Sequence, residues 1–390
     1  SWERLLDPAT GSMHWWLLAA VDGALDFRQG RATKVRGLTV MNPLKLRVKL
    51  AFPLESFPEA IAAAPAAPMT LPRLKAGKIT AGVGTGPFLA SGNGSGVSDS
   101  GANVGHCRGR PFLDRVEWID CSKNGGCRLG WKAGRIDVLI APGASTGAQV
   151  VSNEGAWWPV LLRVNPDAFQ SRQQARDIVH FLDEALDRPS LARYAAGEWG
   201  VPMYHLLDFE QSGSSGGMSA TPVSQAPFPS PPLDLLFDST DPLQSRLADK
   251  LQVLLFDLGI PTTLVGLQPR TLIERIDAGD FGLAVVRPFV AVKDTVMRMA
   301  AMIAWSCPKD RCAAIMEELV GRVVSLPDAE QRRAVLRQIG RSYTNRLYVI
   351  PLLRHKLTMA VRKRVKGMRT SLSGLPDLSY CWLEQGDEDR

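Results

Sequence analysis

At 390 residues the chain is longer than the roughly 250–300 residues at which a single hydrophobic core stops growing, so two or more domains are expected. A composition of 45% hydrophobic and 22% charged residues excludes collagen-like and disordered classes, and no apolar run approaches the roughly 18 residues of a membrane-spanning helix. The net charge of +7 admits nucleic acid or an anionic surface as a partner, but the basic residues are mostly interleaved with acidic and apolar ones, and no nucleic-acid partner is expected. The exception is residues 354–369, where Arg354, Lys356, Arg362, Lys363, Arg364, Lys366 and Arg369 crowd together; this stretch is expected to be a solvated face or strand rim.

In chain order, Ser1-Trp2-Glu3-Arg4-Leu5-Leu6-Asp7-Pro8 reads as a helix stopped by a proline, as though the chain begins in mid-domain. Period-two alternation on either side of Asn42-Pro43, over residues 37–40 and 44–50, predicts a half-buried antiparallel hairpin. Residues 84–105, rich in Gly, Ser and Asn, predict a long loop, followed by a strand over 113–119, a short helix over 130–133 and a strand over 134–140. Ala175, Ile178, Val179, Leu182 and Leu186 fall at helical spacing and predict an amphipathic helix over 171–186. The polar, proline-rich stretch 211–232 breaks the pattern and reads as a surface loop or linker.

Beyond that stretch the pattern is regular. A strand over 233–237, a helix over 243–258 closed by Gly259, a strand over 262–267, a helix over 272–278 closed by Gly279 and a strand over 281–286 predict a crossover-built α/β lobe. Helices over 313–324 and 328–339 follow, the second with Asp328 and Glu330 in its first turn, where carboxylates suit the helix dipole. A strand over 347–352 and the basic stretch complete the fold, and no internal repeat is evident.

Catalysis requires a nucleophile, an acid/base pair or a metal cage presented together, and the sequence offers no such constellation. There is no G-x-S-x-G elbow, Walker loop or H-E-x-x-H helix, and His14, His106, His180, His205 and His355 are scattered without ligand spacing. The glycines Gly82, Gly84 and Gly86 resemble part of a dinucleotide fingerprint, but Pro87 and Phe88 stand where a helix should open onto phosphate. The chain is therefore expected not to be an enzyme and to need no cofactor. Of the six cysteines, Cys121 with Cys127 and Cys307 with Cys312 are candidate disulfides closing small loops, the alternative being reduced thiols. A zinc cage of His106, Cys107, Cys121 and Cys127 is disfavoured by its irregular spacing.

The string Gly84-Thr85-Gly86-Pro87-Phe88 is similar to the G-T-G-P-[FY] signature of the family 5 extracellular solute-binding proteins, which serve dipeptide, oligopeptide and nickel importers. Further matches fall in family order. The opening octapeptide resembles S-x-x-R-x-x-D-P, and Val35-Arg36-Gly37-Leu38 resembles V-x-G-I. Gly109-Arg110-Pro111-Phe112-Leu113-Asp114-Arg115-Val116 resembles G-x-P-x-L-D-x-V, and residues 129–137, Asn165 with Phe169, the helix over 176–188 and residues 251–265 follow the pattern to about residue 367.

The resemblance implies an α/β, bilobal, periplasmic-binding-protein-like clamp of type II with an extra subdomain and mixed sheets in each lobe. Residues 1–164 would form the first lobe without its N-terminal strands, 165–350 the α/β second lobe, and 351–390 the return to the first lobe and a C-terminal tail. It also implies the substrate-binding component of an ABC importer, periplasmic or extracellular and lipid-anchored, with its signal peptide removed or missing. The partners would be a small-molecule or peptide-like ligand and an ABC permease in the inner membrane, with the binding protein a monomer. The alternative is a structural or interaction homologue that no longer transports.

Peptide-binding members carry a W-x-x-D-Y-x-D-P-type loop after the strand equivalent to 281–286, with its aspartate on the ligand's amino group. Here the chain reads Val286-Arg287-Pro288-Phe289-Val290-Ala291-Val292-Lys293-Asp294-Thr295, with Asp294 as a remnant. Replacing a carboxylate by Arg287 would favour anionic or metal-chelate cargo over a peptide amino terminus. Trp157 and Trp158 are expected either to wall the ligand or to pack at the hinge. The expected ligand contacts are thus Trp157, Trp158, Arg287, Phe289 and Asp294, with no metal ligands.

Overall fold

The computed structural model describes residues 1–68, 74–75, 78–79, 84–91, 97–120, 127–140, 149–207, 226–228, 232–290, 292, 294–307, 309–324, 326, 328–371 and 373–384. Cys121 and most of the stretch 211–232 lie outside them. The centre of the fold is one seven-stranded mixed sheet. Its strands along the chain are β1 (Val138–Ile140), β2 (Gln149–Val164), β3 (Gly200–Pro202), β4 (Leu233–Asp238), β5 (Thr262–Leu267), β6 (Leu283–Val286) and β7 (Val349–Val361). They lie in the order β3-β7-β2-β6-β4-β5, with β1 paired to the far end of β7. The pairs β4–β5 and β4–β6 are parallel, and the other pairs are antiparallel.

Among the described residues, seven helices of nine residues or more flank or follow the sheet: α1 (Arg172–Ala185), α2 (Arg188–Ala196), α3 (Pro242–Asp257), α4 (Pro269–Ala278), α5 (Thr295–Ser306), α6 (Lys309–Val324) and α7 (Ala329–Leu347). Strand side chains alternate between two cores, as a period of two requires. Val160, Leu162, Val164, Leu235, Leu283, Val285 and Ile350 pack with α1, α2 and α3. Leu161, Leu236, Ala284, Val286 and Val349 pack on the opposite side with α4 to α7. A sheet covered on both faces needs apolar residues at consecutive positions, which is why β4 and β6 read as near-continuous apolar runs.

Local chemistry sets the helix ends. Ser171, Asp187, Asp241, Asp294 and Asp328 each accept a backbone N–H with the side chain at the start of α1, α2, α3, α5 and α7. Pro269 lets α4 begin three residues before the apolar pattern shows. Helices α6 and α7 are likewise longer than expected, and the added turns of α7 bury Tyr343 and Leu347 in the core. Helix α5 has no counterpart in the sequence reading: Met297, Met299, Ala300, Ala301, Met302, Ile303 and Ala304 are all buried, so no polar face marks a helical period. Cys307 and Cys312 are bonded across the α5–α6 turn, and Cys127 is also disulfide-bonded.

The segment before residue 67 buries Leu5, Leu6, Trp15, Trp16, Leu17 and Leu18 in the core built on α4 to α7, together with Leu161 of β2. Two further expectations differ in part. The hairpin forms as Leu38–Asn42 against Lys45–Val48, but only Leu38, Val48 and the following Leu50 pack on that core, leaving Val40 76% and Leu44 99% exposed. The basic stretch is solvated at Lys363, Arg364 and Arg369, as expected, but several of its cations also have partners within the molecule. Arg354 is buried over the Trp157 ring, Arg362 donates to the carbonyls of Ile136 and Trp131, Arg364 pairs with Asp137 and Lys366 with Glu384.

Where β2 ends, Asn165 ties it to the start of β6. Its amide donates to the carbonyls of Gly279 at 2.9 Å and Phe281 at 2.8 Å while its Oδ1 accepts from the Asp167 N–H at 3.1 Å. Asn165→Ala leaves the buried Phe281 carbonyl short of a donor and removes the half-buried bond to the Gly279 carbonyl, and a loss of about 2 kcal/mol is expected, read as a lower urea midpoint at unchanged m-value.

Candidate ligand-binding cleft

Parallel strands in an open α/β sheet present their carboxyl ends at a crevice, because the chain leaves neighbouring strands in different directions there. In this chain β4 ends at Asp238 and β6 at Val286-Arg287, beside the start of α4. A cavity of about 260 Å³ opens at this point, lined also by Gln244 of α3, Leu272, Ile273, Ile276 and Asp277 of α4, Trp158 and Arg163 of β2, and Trp305 of α5. Met13 and His14 complete it, so the N-terminal segment supplies one wall and the α/β unit the others.

The wall is a run of edge-to-face rings. Trp158 meets Phe289 at a centroid distance of 5.6 Å, Phe289 meets His14 at 5.3 Å, and His14 meets Trp305 at 5.9 Å. Trp158 is fixed from behind by its indole N–H, which donates to the Ser373 carbonyl at 2.7 Å. Burial holds His14 down to about 4 from an ordinary 6.5, so the ring is neutral at pH 7. Its Nδ1 and the Trp305 Nε1 are buried with no hydrogen-bond partner among the described residues.

Charge on the opposite side is organised by Asp241. This carboxylate, 6% exposed, accepts the Leu243 N–H at 3.0 Å and the Gln244 amide at 3.2 Å at the start of α3, and pairs with Arg287 at 3.2 Å. The guanidinium of Arg287 also lies 4.9 Å over the Trp158 ring. Arg287 is thus already neutralised inside the molecule, which removes the reason for expecting it to select an anion. Arg163 is wholly enclosed, donates to the Trp305 carbonyl at 3.3 Å and rests 5.5 Å from the Phe281 ring; burial lowers it to about 10, leaving it charged at pH 7. His355, on β7 opposite Trp158, is pushed down to about 4 by burial and, secondarily, by Arg287.

Of the five expected contacts, Trp158, Arg287 and Phe289 meet at this cleft. Trp157 points to the other side of the ribbon, between Arg354 at 4.6 Å and Lys356 at 5.1 Å. Asp294 does not line the cleft; its carboxylate caps α5 through the Met297 N–H at 2.9 Å, and burial raises its pKa. Sequence reasoning missed His14, Arg163, Asp238 and Trp305. Only Asp238 left a trace: Asp238-Ser239-Thr240-Asp241-Pro242 is a strand-to-helix turn string whose carboxylates must sit at the strand's carboxyl end.

No protein-family model matches the chain, and no curated protein sequence matches it. Solved structures do. The murein tripeptide binding protein MppA of Escherichia coli is 16% identical, with 99% of this chain and 82% of that one covered at a TM-score of 0.78. OppA of Burkholderia pseudomallei is 18% identical over 98% and 83%, at 0.79, and the binding protein AgaA of A. tumefaciens R10, in complex with agropinic acid, is 16% identical over 100% and 83%, at 0.74. Against the unliganded open form of MppA the TM-score is 0.56.

Two outcomes are expected of this arrangement. Arg287→Met strands the buried Asp241 carboxylate and lowers stability by about 2–4 kcal/mol in urea unfolding, with Asp241→Asn in the same chain restoring part of it. Because His14 and His355 are held neutral in the fold but titrate near 6.5 when unfolded, stability is complete above pH 6.5 and falls as pH drops toward 4; His355→Leu should flatten that slope in thermal melts. The chain has the periplasmic-binding-protein-like fold that these solved binding proteins share.

Proposed function

We propose that the chain is the substrate-binding component of an ABC importer and takes a peptide-like or other small solute into the cleft between its N-terminal segment and its α/β unit. The observation that carries this reading is the cleft itself, at the carboxyl ends of β4 and β6, walled by four rings and crossed by Arg287. Its size, about 260 Å³, lies just below the roughly 300–1,000 Å³ usual for small-molecule sites and suits a short solute. The unpartnered Trp305 Nε1 and His14 Nδ1 add hydrogen-bonding capacity to an otherwise apolar wall.

The lobe arrangement supports a clamp that closes on cargo. Of the two MppA structures the chain fits one at 0.78 and the unliganded open form at 0.56, a difference within one protein that reflects how its parts are set relative to each other. The work of such a clamp is a population shift: solute stabilises the closed form, and the closed form docks on a permease at the membrane. A monomeric protein in the periplasm fits this role, and among the described residues no helix is long and apolar enough to cross a membrane.

Binding is tested by thermal shift and intrinsic fluorescence, since Trp158 and Trp305 both line the cleft. A true ligand at one hundred times its Kd should add about 2.7 kcal/mol of stability and change tryptophan emission. A panel of short peptides, organic acids and metal chelates that shifts neither signal, together with a reproducible protein partner on pulldown, would instead identify a non-transporting homologue.

A further inference from the structure

We infer that Asp238 sets the charge preference of the cleft by holding a cationic nitrogen, an ammonium or guanidinium, of the solute. This rests on the solute-binding reading above. Among the described residues five ionisable side chains line the cavity: His14, Arg163, Asp238, Asp277 and Arg287. Arg287 is matched by Asp241 at 3.2 Å. Arg163 faces the charge of Asp277 and gives a hydrogen bond to the Trp305 carbonyl. His14 is neutral.

Asp238 has a different environment. Its Oδ1 accepts from the Thr240 N–H at 2.8 Å and the Thr240 hydroxyl at 2.7 Å, which fixes the carboxylate plane. Its backbone N–H donates to the Gln244 side chain at 3.2 Å, which fixes the strand end that carries it. Its Oδ2 has no hydrogen bond, and no cation lies within 4.0 Å of it, among the described residues.

Asp241 is matched by Arg287, and Asp277 lies in the field of both Arg163 and Arg28, which leaves Asp238 as the lining carboxylate with no cation within 4.0 Å among the described residues. A solute anion entering here would find both guanidiniums engaged and a preset carboxylate beside it. A solute cation would form a charge-assisted hydrogen bond to an acceptor that needs no reorganisation.

The test uses the whole chain and matched probes: trialanine and putrescine, their fully N-acetylated counterparts, and citrate and malate as anions, measured by calorimetry and thermal shift. The expected result is binding by one or more amine-bearing probes, at least tenfold weaker binding after acetylation, and the same tenfold loss in Asp238→Asn, which keeps the Thr240 hydrogen bonds. An unchanged melting temperature of Asp238→Asn would show that the loss is not unfolding. Binding of acetylated or anionic probes alone, or an amine affinity unaltered by Asp238→Asn, overturns the assignment of Asp238 while leaving solute capture intact. No binding by any probe overturns both.

Discussion

The pairing of β2 with β7 is the constraint on which the rest of the molecule depends. Residues 149–164 and 349–361 run antiparallel over most of their length, from Gln149 opposite Val361 to Arg163 opposite Val349. At one end the ribbon is inside the doubly covered sheet, with β6 beside β2 and β3 beside β7. At the other it carries β1, paired through Val138–Ile140. Register shifts between Pro351 and Leu353 and between Lys356 and Thr358 add twist along the ribbon. Because successive side chains point to opposite faces, one register puts Trp158 in the cleft and Trp157 against Arg354 and Lys356 on the other side; a slip of one residue would exchange them.

Around that ribbon the electrostatics are arranged as a few closed pairs. Asp241 joins the start of α3 to the end of β6 through Arg287, and Arg287 in turn covers Trp158 of β2. Three elements far apart in sequence are thereby held at one point by a single partly buried ion pair. Such a pair contributes little net stability after desolvation, but losing one member leaves an uncompensated charge, so it constrains geometry more than it adds energy. His355 lies beside this pair and stays neutral because both burial and the neighbouring guanidinium oppose its protonation.

Much of this was legible in the chain. The α/β unit was readable because strand runs, helix periods and the capping residues agree with one another between residues 233 and 286, and each signal is local. The helix over 171–186 was readable for the same reason, having one apolar face and a serine cap. Helix α5 was not, since a segment buried on all sides has no polar face to mark its period. The partners of the basic stretch were not readable, because charge in a sequence shows no partner; Arg362 finds its carbonyls about 226 to 231 positions away.

What the sequence by itself determined is therefore the set of elements and their order, and, through the resemblance carried by short motifs from Ser1 onward, the class of fold. Only the tertiary structure decided the site. Trp158, Phe289 and Arg287 were named from the chain, yet their grouping with His14, Asp238 and Trp305 depends on strand ends and helix starts brought together across more than 200 residues. It also decided which charges are free to meet a solute: Arg287 read as an exposed cation until Asp241 was found against it, and Asp238 had no visible role until its neighbours were seen to be matched. Charge balance at a buried site is a property of distances, and distances between remote residues are not written in local sequence.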